Sequence, residues 1–552
     1  MPLAPRLCLD TEGYLSRDGK RFIPVGVNYW PASCGVEMWR RWPQEEIQHD
    51  LDVVVALGLN SVRFFLRWQD FEPEPGAYDG VALARLEEFL SWCRARGLYA
   101  QPSLFVGWMS GGTFWPRWKG ARNAFAEPYM VERALSYARR IAEVVAPYDD
   151  CLLGIDQGNE LCCLSDSREA PPDAVIAWCR RVNEAIRDAY PNCVIISGNE
   201  QNQIVSDTGW RLGDQPGTDL YSMHAYPVPA WHSVPFDGMT DPLCQSLLPL
   251  YTKIARAFGP VMVQEFGTIA TFGHRQQDTY LRAMLPAAWE AGANGFLWWC
   301  LRDIHARVHP YVKNNFESTL GLVDAEDHVK PGLAYYVEFA RSLSERPTPE
   351  RRGDVGLYMP KHYYPRDNPE NPGNDPRQLS RWLVMANYLL QRLGHRVEIV
   401  RGDQPIATQA RTIVVPGGLL GADEADALDA WVGGGGHLVW HGPDPVNWGW
   451  AYVRLLGARP VDYRAARPVK VALAGDVWEV GTYPRSARIE LEPDGAEVLA
   501  RDDTGLPAVL RHPVGRGRVT YATAVVEESA AAVAGDRRLR DRWQRWYAAV
   551  LS

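Results

Sequence analysis

The chain has 552 residues, too many for one ordinary domain and enough to bury several cores. Its net charge of −9 is carried without any basic cluster, so nothing favours a nucleic-acid partner. The opening residues Met1-Pro2-Leu3-Ala4-Pro5-Arg6 lack an apolar stretch of signal-peptide length, and nothing later runs apolar for a bilayer span; a cytoplasmic protein without a membrane partner is expected.

All ten cysteines lie between Cys8 and Cys300, mostly within apolar patterns, as buried free thiols do. Cys162-Cys163 is too compact for a zinc-finger spacing, and no His/Cys pattern surrounds it, so neither a metal nor another cofactor is expected. The 22 tryptophans stand out. They serve either cores or flat platforms under sugar rings, and composition does not divide the two uses.

In chain order, short apolar runs predict strands at Phe22–Val27, Ser61–Leu66, Tyr99–Leu104, Leu152–Gln157, Val194–Ser197, Leu220–His224, Val261–Glu265 and Gly295–Trp299. Between them, apolar residues at three-to-four spacing predict helices such as Glu45–Leu57, Val81–Arg96, Met130–Val145, Asp173–Tyr190 and Thr279–Ala291. The fifth connection, through Trp210 and Asp214, reads mostly as loop. Eight strands with helical returns fit a closed (β/α)8 TIM barrel over residues 1–345 better than an open doubly wound sheet. A proline-containing linker at Ser344–Pro349 breaks the pattern, and a second α/β unit follows over 350–455. From 456 to 552 apolar and polar residues alternate, which predicts a small C-terminal β domain closed by a helix.

Two of the barrel strands end in a glutamate. Gly158-Asn159-Glu160 closes the fourth, and Val263-Gln264-Glu265-Phe266-Gly267 closes the seventh. A parallel barrel gathers its strand ends at one mouth, so both carboxylates can face a single bound sugar. Such a pair is the working part of glycoside hydrolysis. A lone glutamate at a strand end is usually a solvated loop residue; two on these strands are harder to dismiss. Gly198-Asn199-Glu200 repeats the first tripeptide one strand later. The four preceding strands leave no room to count Glu200 as the end of strand four, so Glu160 takes the acid/base role, and Glu200 is left as a substrate-site or structural residue. Trp30, Trp68, Trp108 and Trp115 follow the first three strands and are candidates for a pocket wall.

With these motifs the barrel resembles clan A glycoside hydrolases, which include family 5 cellulases and mannanases and family 42 β-galactosidases. The resemblance implies that Glu160, after Asn159, is the acid/base and that Glu265, in Glu-Phe-Gly, is the nucleophile. It implies that Arg63 in Ser-Val-Arg-Phe supports the nucleophile, and that His224 and Tyr226 in Met-His-Ala-Tyr-Pro form the strand-six pair whose tyrosine bonds it. Trp299 in Gly-Phe-Leu-Trp-Trp matches the tryptophan beneath the sugar. For Arg63 the alternative is a structural ion pair, for His224 a satisfied core histidine, and for Trp299 core packing. Family 5 usually carries a histidine near the end of strand three, where this chain reads Pro102-Ser103-Leu104-Phe105.

The second unit resembles the amidotransferase-like domain of family 42 β-galactosidases and family 164 β-mannosidases, which implies a homotrimer. An amidotransferase needs a cysteine nucleophile. Residues 350–455 contain none, so His437 and His441 have nothing to activate and the unit is read as a scaffold. The expected activity is that of a retaining, exo-acting β-glycosidase, a β-mannosidase before a β-galactosidase or an endo-β-mannanase or glucanase, acting on an oligosaccharide or β-glycoside. A barrel that binds carbohydrate without hydrolysing it is the remaining alternative.

Overall fold

The computed structural model describes residues 7–268, 273–349, 352–365, 374–442, 450–465, 467–481 and 488–552. Eight parallel strands form the first sheet. They are β1 (Val25–Tyr29), β2 (Ser61–Phe65), β3 (Tyr99–Phe105), β4 (Ile155–Gly158), β5 (Ile195–Ile196), β6 (Tyr221–Ala225), β7 (Val261–Phe266) and β8 (Ala293–Trp298). Their order is β5-β4-β3-β2-β1-β8-β7-β6. Parallel bridges Ile196–Leu220 and Glu200–His224 join the two ends and close the ring. Every residue of these strands is buried, as a parallel sheet covered on both faces requires.

The covering helices are α1 (Gln44–Ala56), α2 (Gly80–Ala95), α3 (Pro128–Val145), α4 (Pro172–Ala189), α5 (Pro242–Arg256), α6 (His274–Glu290) and α7 (Ala334–Ser342). Proline opens α3, α4 and α5, where its missing N–H has no helical partner to lose. Asp79 caps α2 by accepting from the backbone of Val81 and Ala82. The fifth connection holds only a short helical turn, Asn202–Val205, as its weak periodicity predicts.

The first strand begins at Val25, so Phe22–Pro24 of the expected strand lie outside it. Just before them Lys20–Arg21 pairs with Leu15–Arg17, and that strand with Cys8–Leu9, in a small antiparallel sheet. Leu7 and Leu15 from this segment pack with Tyr99, Leu153, Val194, Ile196, Leu220, Met262 and Leu297, a cluster at the starts of the barrel strands. The end opposite the strand carboxyl termini is thereby plugged with apolar side chains.

The chain forms two compact units: Met1–Gln203, Asp207–Val228 and Gly238–Pro349 make up one, and Ile204–Ser206, Pro229–Asp237 and Glu350–Ser552 the other. The second unit holds a seven-stranded sheet built from β9 (Val355–Met359), β10 (Val397–Arg401), β11 (Thr412–Val415), β12 (His437–His441), β13 (Glu497–Arg501), β14 (Pro507–Val514) and β15 (Gly517–Ala522). The order is β10-β9-β11-β12-β15-β14-β13, with the first five strands mutually parallel and the pairings β15–β14 and β14–β13 antiparallel. A division at 455/456 therefore runs through one hydrogen-bonded sheet. The alternating pattern that marks 497–522 as β is real, but β15 pairs with β12 along its length and extends the α/β sheet. Two antiparallel ribbons, Ala458–Arg464 with Arg488–Pro493 and Val469–Leu473 with Asp476–Val480, complete that region. His441 is buried against Glu527 (Nδ1 to Oε1, 2.6 Å), and His437 bonds Thr520 (2.9 Å).

Candidate active site

The two Gly-Asn-Glu tripeptides lie side by side at the ends of β4 and β5. A Cβ on Gly198 would stand 1.6 Å from the Gly158 carbonyl oxygen, and one on Gly158 would stand 2.6 Å from the Phe105 carbonyl oxygen. Glycine is needed at both places because neighbouring backbones press together there. The Glu160 amide donates to the Gly198 carbonyl at 3.0 Å. Glu160 itself sits in left-handed backbone (φ 48°, ψ 46°), a conformation costly for a residue with a side chain and concentrated at functional sites.

Arg63 on β2 organises the floor. It is fully buried, and each of its five N–H groups has an acceptor. Nε and Nη2 grip Asp156 Oδ2 at 3.0 and 2.7 Å. Nη1 donates to Asn28 Oδ1 and Glu265 Oε2, both at 3.0 Å, and Nη2 to Asn159 Oδ1 at 2.9 Å. Arg63 is thus both the structural ion pair and the support of Glu265. Tyr226 donates to the other oxygen of Glu265 at 2.8 Å, so both carboxylate oxygens of Glu265 are held. Asn159 donates one amide N–H to the Trp108 carbonyl at 3.0 Å.

His224 stands between the two glutamates, its Nδ1 2.9 Å from Glu160 Oε1 and 3.7 Å from Glu265 Oε2. Its Nε2 faces Gln264 Oε1 at 2.9 Å. Burial lowers the His224 pKa, which favours the neutral ring. A neutral ring donating from Nε2 to Gln264 accepts at Nδ1, so a protonated Glu160 is the form that completes this bond. Burial raises Glu160 to about 7, against the pull of Arg63 and a hydrogen bond from Trp108. Burial, with the charge of Glu160, also raises Glu265 above the usual carboxylate range; His224, then Arg63 and Tyr226, oppose that rise without cancelling it. Oxygens of Glu160 and Glu265 and a His224 nitrogen all lie within 4.8 Å of one another.

Glu200 is buried and points to a different set of partners. Its Oε1 accepts from Cys162 Sγ at 3.1 Å and Cys163 Sγ at 3.6 Å, and burial, then the charge of Glu160, raises it to about 7. Cys162, Cys163 and Glu200 have donor atoms as closely spaced as those of Glu160, His224 and Glu265. Thiol-to-carboxylate hydrogen bonds account for the first grouping, and the histidine bridge for the second.

Trp299 follows β8, packs edge-on to Phe65 and donates from Nε1 to Glu317 Oε2 at 3.0 Å. Trp298 points away from it and donates to the Leu320 carbonyl. Of the four loop tryptophans, Trp30 and Trp68 are core residues, stacked on Phe65 and Tyr137 respectively, while Trp108 reaches Glu160. Sequence reasoning missed Asp156, Gln264, Asn28 and Glu317. Asp156 carries a signal, a charge inside the expected strand Leu152–Gln157; the sequence around Glu317 has no periodic pattern and carries none.

A family model described as cellulase (glycosyl hydrolase family 5) matches residues 18–303, so the missing strand-three histidine does not set the chain outside that description. An exo-β-1,4-mannosidase from Opitutaceae bacterium strain TAV5 is 52% identical, with 99% of this chain and 100% of that one covered and a TM-score of 0.95. A GH42 β-galactosidase from G. stearothermophilus shares the fold at 14% identity, with a TM-score of 0.68 over 96% of this chain and 88% of that one. A segment of 115 residues is 30% identical to the probable β-galactosidase A of Aspergillus phoenicis; it is 20% of this chain, and the match spans 11% of that relative.

Proposed function

Because this chain belongs to glycosyl hydrolase family 5, we propose that it is a retaining, exo-acting β-mannosidase. The observation that carries this reading is the pair Glu160 and Glu265, with oxygens within 4.8 Å and unlike surroundings. Retaining enzymes hold their carboxyl groups about 5–5.5 Å apart; inverting enzymes leave about 6.5–9.5 Å for a water. Glu160, held protonated near neutrality, donates its proton to the leaving glycosidic oxygen while Glu265 attacks C1. Arg63 and Tyr226 aim the attacking carboxylate. In the second half, Glu160, now a carboxylate, takes a proton from the water that attacks C1 and releases Glu265. The second N–H of the Asn159 amide serves the sugar 2-hydroxyl, a contact that strengthens as C1 becomes cation-like. Trp299 is the platform under the ring.

The mannose assignment draws on the 52% identical exo-β-1,4-mannosidase, which aligns over nearly the whole chain. A panel of aryl β-glycosides tests it, with Glu265→Gln as the inactive control. Release from the β-mannoside above the β-galactoside and β-glucoside is expected; preference for either rival refutes the substrate. Proton NMR of the first-formed anomer tests retention.

The same reading includes a homotrimer and a cytoplasmic location. The second unit has no cysteine nucleophile, which leaves it an assembly role, and light scattering on a sizing column should give about three times the 62.0 kDa subunit. A monomer that is fully active on short substrates removes the trimer. All ten cysteines are free thiols, nine of them fully or partly buried, which suits a reducing compartment.

A further inference from the structure

Glu317 is a buried carboxylate of this pocket that neither the proposed chemistry nor the Arg63 frame uses. It is 2% exposed. Burial drives it up to about 7, donors on Ser110 and Trp299 pull it back, and the charges of Glu265 and Glu160 push it further up, so its carboxyl lies within electrostatic reach of both. Among the described residues no lysine or arginine pairs with it. Its backbone is fixed, with the Ile304 amide donating to its carbonyl and its own amide donating to the Asn314 carbonyl. Asn314 in turn bonds the Ser110 carbonyl in the hairpin Trp108–Thr113, which also receives the Asn159 amide through Trp108. The 3-10 turn that carries Glu317, Asn315–Thr319, is therefore tied to the same framework as the catalytic strand end.

A buried carboxylate without a cation is costly unless donors satisfy it, and an ionised one has room for about four. Glu317 sits at the polar N–H edge of the Trp299 indole. A sugar lying on that ring presents its rim hydroxyls to that edge. Glu265 faces C1 and Asn159 takes the 2-hydroxyl, which leaves the hydroxyls at C3, C4 and C6. We propose that Glu317 is a specificity residue that accepts hydrogen bonds from one or two of these hydroxyls on the terminal sugar. The inference rests on the glycosidase reading above. Such a contact also gives a physical reason for exo action, since a sugar whose far hydroxyl is held in this way has no free position there for chain extension.

The test is a cycle between Glu317→Gln and 3-, 4- and 6-deoxy versions of whichever aryl β-glycoside the enzyme cleaves best. On the parent glycoside Glu317→Gln should lower kcat/KM roughly 10- to 100-fold, the range for a hydrogen bond to a charged group. On the deoxy substrate lacking the bound hydroxyl, wild type and variant should agree within about twofold, which a merely structural role would not produce. An equal loss on every member, or no loss on the parent, overturns the assignment. If Glu317→Gln fails to fold, the wild-type panel decides: at least one deoxy glycoside must fall about 10-fold or more, and a flat panel overturns it. Failure to cleave any β-mannoside would defeat the substrate reading alone. A flat response on the sugar that is cleaved would defeat the Glu317 assignment alone.

Discussion

Replacing Arg63 by lysine keeps the positive charge and removes the fork. Lysine has three donors, whereas Arg63 serves five acceptor contacts on Asp156, Asn28, Asn159 and Glu265. At least two contacts must go unmet at a position with no exposure. At about 1–3 kcal/mol for each buried group left unsatisfied, Arg63→Lys should cost about 2–6 kcal/mol. Arg63→Ala, which strands Asp156 beside Glu265, should cost about 3–5 kcal/mol from the broken ion pair alone. Urea unfolding of the full chain, followed by tryptophan fluorescence, measures both. The barrel's transition is assigned on the wild type by parallel loss of activity. An Arg63→Lys midpoint equivalent to less than about 1 kcal/mol of destabilisation, with unchanged slope, would refute the claim that the fork itself holds the site together.

In the proposed mechanism Glu160 acts protonated and is raised to about 7, so kcat/KM should fall as pH rises through about 7; Glu265 acts ionised and is also raised, so the acid limb should lie above the ordinary carboxylate range. A pH profile with an alkaline limb unchanged in Glu160→Ala contradicts this. On substrates with good leaving groups, azide should partly rescue Glu160→Ala and not Glu265→Ala, because an acid is dispensable there and a nucleophile is not; the same rescue in Glu200→Ala would transfer the acid role to Glu200. Glu200 is raised from 4.5 to about 7 by burial and by Glu160, so its contribution to stability is present below about pH 4.5 and lost as pH rises through 7. Glu200→Gln should therefore stabilise the fold at pH 8 by up to about 3 kcal/mol and leave it unchanged near pH 4, as thermal melts at the two pH values would read; an equal shift at both is the refuting result.

Much of this is legible in the sequence alone. Eight apolar runs in alternation with amphipathic segments determine a parallel sheet covered by helices on both faces, because only buried strands dispense with polar alternation, and their number favours closure into a barrel. Glycine beside a strand-end glutamate marks Glu160, since crowded backbones at the barrel mouth exclude a Cβ. That local rule holds equally at Gly198, so it also produced the decoy Glu200. Strand counting favours Glu160, and the closed ring then gives the two different partners, Glu200 against Cys162 and Cys163 and Glu160 against His224. Arg63 was legible as a cation near strand two; its partners were not, for they come from β1, β7 and the end of β4, up to 202 residues away. The extension of the second sheet by β15 was hidden for the same reason, since a strand's period reveals its faces and not its neighbour. Glu317 has no periodic setting at all, and its meaning comes from burial beside an indole N–H and two other carboxylates. Local pattern determines which segments bury themselves; which buried polar atoms then meet is decided by long-range closure of the chain.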